Sequence, residues 1–234
     1  VLRPEELYRF IDILAKMGYN TIQLYTEDTY EVEGEPYFGY QRGRYSVKEM
    51  RELDDYADSF GIELIPCIQT LAHLTTALRW ECFAPYSDTA DILLADDDRT
   101  YALIDAMFAS VTSCFRSRRI HLGMDEETAQ NQYAYGYAVV RAEPLWLRDF
   151  YHMVDCCERE NARPWIWSDY FYGHKELFAK KMQKTVQQQV KLTLLRELKK
   201  QVLTLSMIQF TKWLATKQDT VRHLKDFLRD TSAN

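Results

Sequence analysis

Two adjacent carboxylates, Asp125 and Glu126, are the residues whose types and spacing could do chemistry in this sequence. They follow residues 119–122, in which apolar side chains alternate with a histidine in the period-two pattern of a strand. Two acids that are buried together repel each other and lose hydration, so a strand that aims them into a cleft needs a reason. Positioned carboxyl groups can donate and accept protons, which makes the pair a candidate for acid–base work. The alternative is a solvated loop or a helix N-terminus, where acidic residues suit the helix dipole.

Four helix-then-strand units are predicted to position this pair. The helices are expected at residues 4–17, 46–60, 98–115 and 144–160, and the strands at residues 21–25, 62–68, 119–122 and 163–170. Each strand ends in polar or aromatic residues, and in parallel α/β folds chemistry is placed at the carboxyl ends of strands. This order indicates an α/β fold of the (β/α)8 TIM-barrel type. It is incomplete, because about four βα units are present and a whole barrel needs eight.

Local signals support several of these boundaries. Pro4 suits the first turn of a helix, and Ser46 with Glu49 fits a capping box. Gly18 and Gly61 are placed where helices commonly end. Pro66 is awkward inside a sheet, so it is expected to mark a bulge or the end of its strand.

Composition excludes several classes of protein. The net charge of −6 argues against a nucleic-acid partner, and the absence of an 18-residue apolar run argues against a membrane span. The first residues do not have the pattern of a signal peptide. Five cysteines, an odd number without metal-ligand spacing, predict reduced thiols and a cytoplasmic location. Abundant Tyr and Trp suit a cleft that needs apolar faces with polar tips, such as a sugar-binding site.

The chain divides sharply into two parts. Residues 1–173 hold all the Gly, Pro and Tyr and carry 16 basic against 30 acidic residues, whereas residues 174–234 carry 13 against 5. The first part is assigned to a partial catalytic barrel domain. The second part is predicted to be a helical tail, because apolar residues such as Val190, Leu194 and Val202 recur at helical spacing. An alternative is out-of-frame translation, since one permitted set of codons for residues 207–220 gives a Tyr- and Gly-rich string in the neighbouring frame.

Residues 121–126, His-Leu-Gly-Met-Asp-Glu, resemble the catalytic strand of family 20 glycoside hydrolases, the β-N-acetylhexosaminidases. Three other strand ends, at residues 24–28, 70–73 and 165–169, agree with that family in order and spacing. The resemblance covers about residues 4–173 and is nearest to the cytosolic branch that lacks a signal peptide. It implies substrate-assisted catalysis, in which the 2-acetamido oxygen of the substrate attacks the anomeric carbon.

The resemblance also implies roles for individual residues. Asp125 would orient and polarise the acetamido group, and Glu126 would protonate the departing oxygen with a pKa raised by its neighbour. His73 and Asp28 would form a supporting pair that tunes Glu126, and Trp167 would form a wall of the acetamido pocket. Further sugar contacts are expected from Trp80 and Asp169. No metal and no organic cofactor is implied.

Taken alone, these supporting residues have ordinary structural alternatives. His73 and Asp28 fit a loop or turn, and Trp167 and Trp80 fit a core. The matched positions favour roles in the site.

The expected function is removal of terminal β-linked N-acetylglucosamine or N-acetylgalactosamine from a glycan with retained configuration. Weak or absent activity is expected from this chain by itself, because the family's first strand and its later strands are missing from the pattern. Exposed barrel edges would favour self-association. One alternative is a non-catalytic carbohydrate-binding or interaction module that keeps the cleft. Another is a barrel glycosidase that uses Glu126 with a distant carboxylate nucleophile.

Overall fold

The computed structural model describes residues 2–126, 143–167 and 170, together with the backbone of residues 202–206. Within these ranges five strands form one parallel sheet in the order β4-β3-β2-β1-β5. The strands are β1 (Thr21–Glu27), β2 (Glu63–Ile68), β3 (Arg119–His121), β4 (Arg163–Trp165) and β5 (Val202–Ser206). Because the strands are parallel, the carboxyl ends of β1 to β4 share one rim of the sheet.

The helices of the described ranges connect these strands. They are α1 (Pro4–Lys16), α2 (Val47–Ser59), the short α3 (Thr75–Leu78), α4 (Asp98–Thr112) and α5 (Glu143–Arg159), with a 3-10 helix at Glu81–Tyr86. The alternation of helix and strand that the sequence predicted is therefore confirmed through β4. The fourth strand is shorter than the predicted residues 163–170, because it ends at Trp165 and Tyr170 is helical. None of the helices described is both long enough and apolar enough to cross a bilayer.

The helix ends follow local chemistry. Pro4 lies in the first turn of α1. The capping box of α2 is complete, because the Glu49 amide donates to Ser46 Oγ at 3.2 Å and the Ser46 amide donates to Glu49 Oε2 at 2.8 Å. Each bond satisfies an amide that has no partner within the helix. Local sequence alone thus fixes where α2 begins.

The core lies between the sheet and the inner faces of the helices. All seven residues of β1 are buried, as expected for a parallel strand covered on both faces. Leu7, Ile11 and Leu14 of α1 pack into this core at one-turn spacing.

Pro66 lies inside β2 and is paired with Leu24 of β1. The expected irregularity comes one residue later and in the partner strand, where the register shifts between Tyr25 and Glu27. On the other side, β2 pairs with β3 only at Cys67. The missing amide of proline therefore lies just before the point at which β2 gains its second neighbour.

The tail differs from the predicted helix at Val202–Ser206, which is a strand that pairs with Thr21–Tyr25 in unbroken register. In this segment Leu203 and Leu205 alternate with Thr204 and Ser206, a period-two pattern that suits a strand. The outer edge of β1 also offers backbone groups that a further strand satisfies. The other tail residues lie outside the described ranges, so the domain division and the out-of-frame hypothesis stay predictions.

Candidate active site

The turn after β3 is strained and requires glycine. Gly123 has φ +75°, and Met124 and Glu126 also have positive φ, of +63° and +55°. A Cβ atom on Gly123 would lie 2.0 Å from Gln69 Oε1 and 3.0 Å from the carbonyl oxygen of Ile68. Non-glycine residues at positive φ are uncommon and gather at functional sites. This turn is what places Asp125 and Glu126 at the rim.

Asp125 is held by two side chains from the loop after β2. Gln69 Nε2 donates to Asp125 Oδ1 at 2.9 Å, and His73 Nε2 lies 3.2 Å from Asp125 Oδ2. Burial acts to raise the pKa of Asp125, but the contacts with His73 and Gln69 outweigh it and lower that pKa. Asp125 is therefore an oriented anion at neutral pH.

His73 is the cation of the site. Its contact with Asp125 is the main cause that raises its pKa to about 9, against the opposing effect of burial. The same Nε2 atom lies 3.5 Å from Glu126 Oε2. His73, itself at φ +60°, thus stands between two acids and offsets their mutual repulsion. The side chain of Glu126 is 65% exposed, so it is open to solvent and to a ligand at the rim.

A chain of hydrogen bonds extends from Asp125 to the end of β1, and sequence reasoning missed it. Gln69 Nε2 also donates to the Tyr25 hydroxyl at 3.0 Å, and that hydroxyl donates to Glu27 Oε1 at 3.3 Å. Arg42 Nη2 donates to Glu27 Oε2 at 3.0 Å. Both amide hydrogens of Gln69 therefore have acceptors, which fixes the orientation of the amide that Asp125 meets. The available signal was the position of Gln69 directly after a strand.

The predicted pairing of His73 with Asp28 is replaced by a different pairing. Asp28 is 1% exposed, and its Oδ1 lies 3.2 Å from Arg42 Nε. Burial raises the pKa of Asp28, and Arg42 offsets part of that effect. Arg42 reaches back from the loop after β1 to both acids there, and its charge is permanent where that of histidine depends on pH. His73 is thereby left to Asp125 and Glu126.

Trp167 lies beside the turn after β3, and its expected role as a wall of the acetamido pocket stays a prediction. Its amide donates to the Gly123 carbonyl oxygen at 3.1 Å, and its ring centroid is 4.4 Å from that of His121. His121 is buried, which lowers its pKa to about 4, and its Nδ1 accepts the Gly123 amide at 3.1 Å. A neutral imidazole therefore supports the turn, with the Trp167 ring packed against it.

Trp80 occupies a separate aromatic cluster. Its ring lies 5.9 Å from that of Tyr37 and 5.2 Å from that of Tyr40, and Arg79 stacks at 4.6 Å. These contacts tie the loop after β2 to the loop after β1. Asp169 lies outside the described residues. Four of the predicted site residues therefore lie close together at the rim: Asp125, Glu126, His73 and Trp167. Asp28 instead contacts Arg42, which also binds Glu27 at the end of the hydrogen-bond chain.

The family model described as glycosyl hydrolase family 20, catalytic domain, matches residues 2–223. Hexosaminidase D from Bos taurus is 27% identical over 124 residues, which cover 51% of this chain and 36% of that protein. Hexosaminidase D from Homo sapiens is 26% identical over 124 residues, which cover 51% of this chain and 26% of that protein. The chain thus spans about a third or less of the curated relatives it matches.

Solved structures give the same picture of the fold. A β-N-acetylhexosaminidase from Bacteroides fragilis NCTC 9343 superposes with a TM-score of 0.61 at 22% identity, covering 73% of this chain and 39% of that one. One from Streptomyces coelicolor A3(2) gives a TM-score of 0.60 at 16% identity, covering 87% and 45%. These similarities confirm the predicted fold class, a partial TIM barrel.

Proposed function

Because the chain belongs to glycosyl hydrolase family 20, we propose that Asp125 and Glu126 act in removing terminal β-linked N-acetylglucosamine or N-acetylgalactosamine from a glycan. One observation carries the proposal. Asp125 is held as an anion by His73 and Gln69, directly beside an acid that remains open to solvent. A fixed anion next to a proton-exchanging acid is the arrangement that substrate-assisted cleavage uses.

In the proposed reaction each acid has a distinct task. Asp125 accepts the N–H of the 2-acetamido group and holds its carbonyl oxygen against the anomeric carbon. That oxygen attacks, the glycosidic bond breaks, and Glu126 gives its proton to the leaving oxygen. Glu126 then takes a proton from the water that opens the cyclised intermediate, so the configuration is retained. Trp167 provides an apolar wall beside the acetamido group.

His73 helps to separate the two tasks. As a cation it stabilises the negative charge of Asp125 throughout the reaction. His73 also lies close enough to Glu126 to stabilise the carboxylate that forms when Glu126 gives its proton to the leaving oxygen. Asp125 must stay charged while Glu126 gives up and regains its proton, and a fixed positive charge beside Asp125 serves that need.

The test is hydrolysis of a chromogenic β-N-acetylglucosaminide by the purified chain. We expect weak turnover that Glu126→Gln lowers by about 10²–10⁴-fold, because general acid help is lost. Glu52→Gln, an exposed acid on α2, is the matched control and should leave the rate unchanged. Turnover that survives Glu126→Gln would exclude the acid role. Inhibition by a thiazoline mimic of the cyclised intermediate separates this route from one with a carboxylate nucleophile.

A non-catalytic carbohydrate-binding module is the second candidate, and the 65% exposure of Glu126 favours it. Electrostatic catalysis is strongest where water is excluded, so an open acid suits binding better than turnover. Binding of N-acetylglucosamine without hydrolysis, seen by calorimetry, would support this candidate.

The setting of the protein is also proposed. All five cysteines are free, which supports the expected cytoplasmic location and a role in carbohydrate metabolism there. Self-association through sheet edges stays a prediction, and light scattering of the purified chain would test it.

A further inference from the structure

A mixed group of ligand atoms lies between α4 and α5, on the helical layer and apart from the catalytic turn. Asp105 comes from α4, and His152 and Cys156 come from successive turns of α5. His152 Nε2 is 3.0 Å from Asp105 Oδ1, and Cys156 Sγ donates to the same oxygen at 3.1 Å. The three ligand atoms all lie within 4.8 Å of one another.

The surrounding residues hold this group in place. The Tyr101 ring stacks on the His152 imidazole at 4.0 Å with an interplanar angle of 9°, and the Tyr101 hydroxyl donates to Asp149 at 2.9 Å. Cys156 is 1% exposed, whereas the side chain of Asp105 is 42% exposed. The group is therefore anchored on its inner side and open to solvent at Asp105.

A positive charge already lies against two members of this group. Arg159 Nη2 donates to Asp105 Oδ1 at 2.7 Å and to Cys156 Sγ at 3.2 Å. The Arg159 side chain is 55% exposed, so it can leave without disturbing the core. The guanidinium thus stands where these ligand atoms favour a cation.

We propose that Asp105, His152 and Cys156 form a binding site for a zinc-class divalent cation, with Arg159 as its competitor. Imidazole nitrogen, thiolate and carboxylate are the donors that zinc prefers, and three of them with one water complete a tetrahedron. Tetrahedral zinc separates such donors by roughly 3.3–3.7 Å, so the ligand atoms need to move only slightly. On binding, Cys156 releases its thiol proton to solvent and Arg159 swings outward. The spacing of the five cysteines alone does not indicate a metal site. His152 and Cys156 are four residues apart, which places them on one face of α5.

Cobalt(II) titration tests this site, because a cobalt–thiolate bond gives a charge-transfer absorption band in the near ultraviolet. The full chain is used with Cys82→Ser, since Cys82 is the exposed cysteine and would bind metal adventitiously. We expect one equivalent of cobalt to produce the band and zinc to displace it. Cys156→Ser should remove the band, and Asp105→Asn should weaken binding about tenfold or more.

Arg159→Ala gives the sharpest readout, because removing the competitor should tighten cobalt binding by about tenfold. A purely structural ion-pair network predicts the opposite, since losing Arg159 would loosen the group. Cys157→Ser, at the neighbouring buried cysteine, is the matched control and should keep the band. Absence of the band, its survival in Cys156→Ser, or weaker binding in Arg159→Ala would each overturn the proposal.

Discussion

Two Asp–His pairs in this chain differ in the backbone that carries them. Asp125 and His73 lie 3.2 Å apart on loops, and His73 and the neighbours of Asp125 have positive φ. Asp105 and His152 lie 3.0 Å apart on regular helices. Helical spacing brings the second pair together without strain, whereas each strained residue of the first costs about 1–3 kcal/mol. Backbone strain therefore accompanies the Asp125–His73 pair, where a precise direction for the carboxylate matters, and not the Asp105–His152 pair.

The pairs also differ in the source of their positive charge. Burial acts to raise the pKa of Asp105, but its contacts with Cys156, His152 and Arg159 outweigh burial and lower that pKa, and the charge of Arg159 is permanent. The described ion pairs of Asp125 rely on His73, whose charge is lost as pH rises through about 9. The helical pair, Asp105 and His152, therefore has the permanent charge of Arg159 beside it. The rim pair, Asp125 and His73, depends on a positive charge that is lost at high pH.

The largest effect is expected from Gly123→Ala, which would break the backbone that the rim pair depends on. A Cβ there meets Gln69 Oε1 at 2.0 Å in addition to the left-handed φ, so the free energy of unfolding should fall by about 3–5 kcal/mol. Urea denaturation measures this loss.

Gly61→Ala is the matched control for Gly123→Ala. Its φ is +70° with nothing within 4 Å of the added Cβ, so it should lose only about 1–2 kcal/mol. Adding Gln69→Ala to Gly123→Ala should restore part of the stability, since the nearest clash is removed. If Gly123→Ala and Gly61→Ala lower the free energy of unfolding equally, the close approach of Gln69 to position 123 does not contribute to the cost, and the prediction is wrong.

Asp125→Asn should change the rim pair next most strongly, because it removes the main cause of the raised His73 pKa. That pKa should fall from about 9 to 6.5 or below, since burial then acts with less opposition. Proton NMR of the imidazole follows the titration. Asp91→Asn removes a smaller charge effect and should leave the pKa of His73 well above 6.5. If the pKa of His73 is the same in Asp125→Asn as in the unsubstituted chain, Asp125 does not stabilise the charged imidazole and the prediction is wrong.

The pH dependence of stability sharpens the comparison further. The pKa of His73 is higher in the folded chain, about 9, than the ordinary 6.5, so its contribution is complete below pH 6.5 and disappears as pH rises through 9. We expect the difference in unfolding free energy between the unsubstituted chain and His73→Gln to shrink by roughly 1–3 kcal/mol over that window. A difference that stays constant from pH 6 to 10 would contradict the charged state of His73.

Local signals explain why much of the fold could be predicted from sequence. The Ser46 capping box and the order of the four helix-strand units depend on residues close together in the chain, and both were predicted correctly, although β4 ends at Trp165. The rim residues could be anticipated because parallel strands bring their carboxyl ends together. The bond from Gln69 to Asp125 spans 56 positions and depends on the register of β2 against β3, which no local pattern specifies. The strand at Val202–Ser206 has a period-two pattern of its own, but the prediction followed the helical spacing of the surrounding tail, and its pairing with the distant β1 is not visible in the sequence.

The smallest effect is expected from His152→Gln in the helical pair. Asp105 keeps its contacts with Arg159 and Cys156, so the loss should be about 1 kcal/mol, from one hydrogen bond and the stack on Tyr101. Tyr101→Leu and Tyr101→Phe both lack the bond to Asp149, but only Tyr101→Phe keeps the stack on His152, so their difference in urea denaturation at pH 7 measures the stack. The matched substitution His73→Gln should lose more at the same pH, because Asp125 then lacks its cation. If His152→Gln proved the more damaging of the two, the regular helices would depend on their pair more than the strained rim does, and the contrast between them would be reversed.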